Sequence, residues 1–213
     1  FYLEKSNVFI VDNLGILLLA IIPLERLIGE IYKRFFRKRN HIEFETVFIR
    51  FGVPYKNHFI KIIMGILFGI IAILLITTVV ITTKRILDSS ININLAGLLI
   101  GLMGGMLIAT GGGIKDSQRE GFKFKKFIRS PITGAFAGFL LIRFSAVPIF
   151  LLLSTGGLER VIIEFYKTYY TKYTRGIFEE QKPKYKNWFK KRWIFFFTYL
   201  ISVIIFIILF FIK

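Results

Sequence analysis

Residues 62–83 read IIMGILFGIIAILLITTVVITT, 22 positions without a charge between Lys61 and Lys84. At a helical rise of about 1.5 Å per residue, such a run reaches across a hydrocarbon layer of roughly 30 Å. Its apolar residues fall on every face. A membrane barrel would instead alternate over segments of about ten residues, so a backbone in lipid must satisfy its own hydrogen bonds here as helix.

Comparable blocks lie on either side of this one. Residues 89–114 and 194–212 carry no charge, and 131–158 is interrupted only by Arg143. Hydrophobic residues make up 54% of the chain and its mean hydropathy is +0.62, above what a soluble domain needs. The expectation is an all-α integral membrane protein, a polytopic helical bundle with full spans at 62–83, 93–114 and 194–212. Two shorter or broken membrane segments are expected at 8–32 and 131–157. The first holds Asp12, Pro23, Glu25 and Arg26, and its uncharged stretch, 13–24, is short for a span. In the second, Arg143 and Pro148 mark the expected break, because proline removes a backbone donor and a charge in mid-bilayer costs about 3 kcal/mol.

The chain has no cysteine, which rules out disulfides and thiol chemistry in these residues, and its two histidines, His41 and His58, fall in one basic connector. The opening residues lack a signal-peptide pattern, and a start at Phe1 suggests a missing or removed leading segment. The formal charge of +17 comes from 30 basic against 13 acidic residues. The basic residues lie between apolar blocks, so the expected partners are the bilayer, its anionic headgroups and other membrane subunits rather than nucleic acid. Aromatic and basic residues interleave over 182–193, directly before the last apolar block, as suits an anchor at headgroup depth.

An internal repeat organises the chain. LERLIGEIYK at 24–33 returns as LERVIIEFYK at 158–167, with seven of ten positions identical, and YKNHFIK at 55–61 returns as YKNWFKK at 185–191. Agreement in order and spacing points to two copies of one unit. The expected organisation is a first repeat unit over 1–83, a glycine-rich span and basic loop over 84–130, and a second unit over 131–213. Within each unit, Arg26 with Glu30 and Arg160 with Glu164 are four apart and can pair on one helical face. A sharper expectation brings Glu25, Arg26, Glu159 and Arg160 together about a pseudo-two-fold axis.

Lysine and arginine number 8 in connector 31–61, 2 in 84–88, 6 in 115–129 and 10 in 159–192. If 131–157 crossed once, the two sides would carry 14 and 12. If it enters and returns, the three rich connectors share the cytoplasmic side, 24 against 2, which is the asymmetry expected of a multi-pass membrane protein.

Gly97, Gly101 and Gly105 recur every four residues, as do Gly134 and Gly138, so the two stretches suit close helix packing against each other. The stretch TGGGIKDSQREG at 110–121 offers two outcomes. A glycine run ending a helix lets backbone amides approach an anion, with Lys115, Arg119 and the following Lys123, Lys125, Lys126 and Arg129 gripping phosphate. Alternatively the glycines simply cap the helix. Asp116 and Glu120, four apart, are candidate magnesium ligands. Arg143, in an apolar setting, is a third candidate anion contact, with Asp12 its expected counter-charge. The spacing matches no phosphate-binding loop.

Three functions follow from these features. A structural or assembly subunit of a membrane complex, with a basic surface against anionic lipid, asks least of them. A small-solute or anion transporter rests on the duplication and Arg143. An enzyme acting on a phosphorylated lipid rests on Lys115, Asp116, Arg119 and Glu120; no catalytic residue or cofactor is legible.

Overall fold

The computed structural model describes residues 13–36, 49–50, 53–54, 58–170 and 191–211; for 34, 49–50, 53–54, 61, 114–120, 206 and 210 it describes the backbone alone. Six helices make up almost all of it: α1 (Leu14–Ile31), α2 (His58–Leu87), α3 (Ile93–Glu120), α4 (Phe124–Leu141), α5 (Pro148–Phe165) and α6 (Ile194–Phe211). A minimal antiparallel pairing joins β1 (Ile49–Arg50) to β2 (Val53–Pro54) in the connector after α1. Two helices are long and apolar enough to cross a membrane, α2 and the Ile93–Gly113 part of α3; the apolar stretch of α6, Ile194–Leu209, is shorter.

Helix ends follow local chemistry. Asn13 caps α1, its side chain accepting from the Ile16 amide at 3.2 Å. The helix expected to end at the glycine run instead continues through Gly111, Gly112 and Gly113 to Glu120, and it is Gly121, at φ 71°, that stops it. That corrects both outcomes foreseen for the run, because amides inside a helix bond to the preceding turn and are not offered to a ligand. The segment expected to enter and return is a hairpin of two full helices. Its turn, 142–147, holds Arg143, and Pro148 is the first residue of α5, where a missing amide costs nothing.

The strongest packing is between α3 and α4. Gly97 meets Gly138, Gly101 meets Gly134, and Gly105 meets Ser130 and Pro131, so the helices run antiparallel with their backbones in contact. A Cβ on Gly97 would lie 2.7 Å from the Gly138 carbonyl oxygen. All five glycines singled out in the sequence lie in this seam.

The two stretches that match in sequence also fold alike. Helices α1 and α5 are each 18 residues long and each passes straight into a five-residue π-helical turn, Tyr32–Phe36 and Tyr166–Tyr170. All four boundaries are offset by 134 residues, the offset of the sequence match. Leu19 packs on Gly157 and Arg26 on Glu164, both 138 residues apart, so α1 and α5 run parallel. On the outside, α6 runs against α5: Arg192 donates to the Tyr169 carbonyl at 3.1 Å and the Tyr199 hydroxyl to the Val161 carbonyl at 3.0 Å. Phe35, in the π-helical turn that follows α1, packs on Gly65 and Phe68 of α2.

These directions place the C-terminal ends of α1, α3 and α5 and the N-terminal ends of α2, α4 and α6 at one end of the bundle. Turns 88–92 and 142–147 lie at the other. The apolar core, Ile16, Leu19, Ile100, Leu141, Ile142 and Leu151, sits toward that second end.

Replacing Gly101 by leucine is expected to lower stability by at least about 1–3 kcal/mol, since the added atoms meet backbone rather than a movable side chain. Gly111→Ala, where a Cβ meets nothing within 4 Å, is expected to be neutral or to stabilise by up to about 1 kcal/mol. Thermal unfolding of the two variants side by side checks the difference.

Candidate functional site

Beyond the Gly105–Ser130 contact, α3 and α4 are no longer held backbone to backbone, and the chain between them turns at Gly121. A small cleft of about 70 Å³, open to the outside, lies in this fork and is closed on its third side by α5. Helical periodicity explains its lining. Lys123, Lys126, Phe127 and Ser130 fall on one face of α4, Arg160, Ile163 and Lys167 on one face of α5 and its π-helical turn, and Ile108, Ala109, Gly112 and Gly113 on one face of α3. Arg129 completes a set of five cationic side chains, and the described lining residues include no carboxylate.

Carboxylates lie behind the wall. Glu164 receives Arg160 at 3.2 Å from its own helix and Arg26 at 3.1 Å from α1, so one carboxylate ties the two repeat units together. Glu159 is fully buried beside Ser130, with Arg160, Arg129 and Lys167 around it, and neither carboxylate oxygen receives a well-formed hydrogen bond. The Nε atoms of Arg129 and Arg160 are likewise buried with no acceptor. Unmatched buried donors are scarce in folded proteins and mark places where a further partner fits.

Each sequence candidate now has a position. Of the four residues expected to gather, Arg26 and Arg160 meet on Glu164 and Glu159 lies next to them, but Glu25 is exposed on α1 and takes no part. The helix-face pairing foreseen for Arg160 and Glu164 forms. Arg26 reaches across to the second unit, and Glu30 is half-buried near the end of α1. Arg143 is exposed in the α4–α5 turn and donates to Asn94 Oδ1 at 3.2 Å, whereas Asp12 lies outside the described residues. It therefore stands at the opposite end of α3 from the cleft. Lys115, Asp116, Arg119 and Glu120 belong to the last turns of α3, next to the cleft, and their side chains lie outside the described set. Among the described residues no three His, Asp or Glu side chains gather as a metal site would require.

Sequence reasoning found the α4 half of this cleft but not the α5 half. Arg160 and Lys167 belong to a segment 30 or more residues away, and the only signal for them was their place in the repeat. Comparison with family models, curated proteins and solved structures finds no match in any of the three.

Because Arg26 and Glu164 are partly exposed, 27% and 15%, their pair is expected to couple by about 1 kcal/mol rather than by the larger energy of a fully buried one. A double-mutant cycle with Arg26→Gln and Glu164→Gln, read by chemical unfolding, measures that coupling. Additive single effects would remove the proposed link between the units.

Proposed function

We propose that this chain is a polytopic membrane protein serving as a structural or assembly subunit, with its basic end turned toward anionic lipid headgroups and partner subunits on the cytoplasmic side. The carrying observation is the surface of α2. A helix this apolar in a soluble protein would be a core helix, yet only 6% of its most apolar stretch is buried, and Ile73 and Leu74 are 65% and 61% exposed. Apolar surface of that extent in water is strongly unfavourable, at about 25 cal/mol per Å². In hydrocarbon it carries no such penalty. The outer face of α6 supports the same environment, with Ile194, Phe197 and Ile201 exposed.

Charge asymmetry supports the orientation. The helix ends from which the three lysine- and arginine-rich connectors leave share one end of the bundle, while the opposite end has the turn with Lys84 and Arg85 nearby and the turn with Arg143. That is the pattern of a cytoplasmic face. The transporter alternative rested on the duplication and on Arg143, and it loses the second support because Arg143 is exposed in a turn.

The absence of cysteine allows a direct test. Lys125→Cys and Ser90→Cys, both at exposed positions, should react with an impermeant thiol reagent from opposite faces of sealed vesicles, Lys125→Cys from the cytoplasmic one. Labelling of both from one face, or release of the protein by alkaline carbonate, would contradict the proposal.

A further inference from the structure

We infer that the cleft between α3, α4 and α5 binds a phosphate monoester, and that its natural ligand is the headgroup of a lipid bearing a terminal phosphate. Two observations carry the chemistry. Lys123, Lys126, Arg129, Arg160 and Lys167 converge on one cleft, and such a concentration of positive charge favours an anion there. Arg160 is paired with Glu164, which Arg26 also engages, and the single buried Glu159 stands among Arg129, Arg160 and Lys167, so the five cations outnumber the described carboxylates beside them. The Nε donors of Arg129 and Arg160 are, in addition, buried without an acceptor. A terminal phosphate brings three acceptor oxygens and close to two negative charges, which suits a many-donor cleft better than a diester with two free oxygens and one charge.

The glycine at position 112 supports a ligand rather than packing. Gly112 lines the cleft, yet a Cβ built on it meets nothing within 4 Å, in contrast to the seam glycines of the same helix. Helix stability disfavours glycine there by about 1 kcal/mol relative to alanine. Leaving the space open gives the residue a purpose. Phe122 and Phe124 at the start of α4 are 62% and 64% exposed, so apolar surface adjoins the charged opening, as an amphiphile requires.

The preference for phosphate follows from the lining alone, whereas the choice of a lipid as its source rests on the membrane reading above. Binding should be measured on the purified full chain in neutral detergent micelles with three radiolabelled probes: short-chain phosphatidic acid, phosphatidylglycerol of the same chain length, and inorganic phosphate. Saturable binding of phosphatidic acid at least about tenfold tighter than phosphatidylglycerol is expected. Gly112→Leu, whose Cβ meets no neighbour within 4 Å, and Arg129→Gln should each weaken it about tenfold, and Gly112→Leu should do so with thermal unfolding of the ligand-free protein unchanged or raised. Inorganic phosphate competing as tightly as phosphatidic acid would support the phosphate site and overturn the lipid as its source. Equal affinity for the two lipids, or no effect of Gly112→Leu, would reduce the cleft to a generally basic surface and overturn the proposal. Should the chain prove soluble without detergent, the membrane reading fails separately, and the inorganic phosphate arm, run in plain buffer, still decides the site.

Discussion

Everything at the basic end depends on how closely α3 and α4 approach. Gly97, Gly101 and Gly105 on one side and Gly134, Gly138 and Ser130 on the other remove the side chains that would hold the axes apart, so the backbones touch. Close backbone contact of this kind acts through dispersion and weak hydrogen bonding, both of which need short distances. The seam stops at Gly105 and Ser130. Past that point Ile108 of α3 lies against Gly156 of α5, Phe127 of α4 comes near Gly113, and the fork between the helices becomes the cleft.

A second consequence is the separation of polarity along the bundle. Its apolar core gathers near the turns at 88–92 and 142–147, while buried and half-buried charges gather where α1, α3 and α5 end. The two repeat units meet in both zones. Leu19 against Gly157 packs them in the first, and Glu164, shared by Arg26 and Arg160, ties them in the second. A carboxylate held by two guanidiniums also fixes Arg160 beside the cleft, so the contact that joins the units positions a cleft residue.

Much of this was legible in the residues. Four-residue glycine spacing pointed to the α3–α4 seam because a helix places such positions on one line. Arg143 and Pro148 marked the break between α4 and α5, and the LER repeat anticipated that α1 and α5 would share their form. What misled was the glycine run at 111–113, taken as a helix end. Glycine alone does not stop a helix whose flanking residues favour it, and the stop fell at Gly121, where a positive φ follows.

The sequence by itself determined that the chain is helical, how long its apolar stretches are, and that its cations lie between them, because those properties reside in composition and local periodicity. Only the tertiary structure decided that α1 and α5 run parallel, that Arg26 reaches across to Glu164 in the second unit, and that Arg160 and Lys167 share a cleft with Lys126 and Arg129. Those facts depend on contacts between residues more than a hundred or several tens of positions apart, and side-chain spacing along one helix carries no information about which other helix it will face.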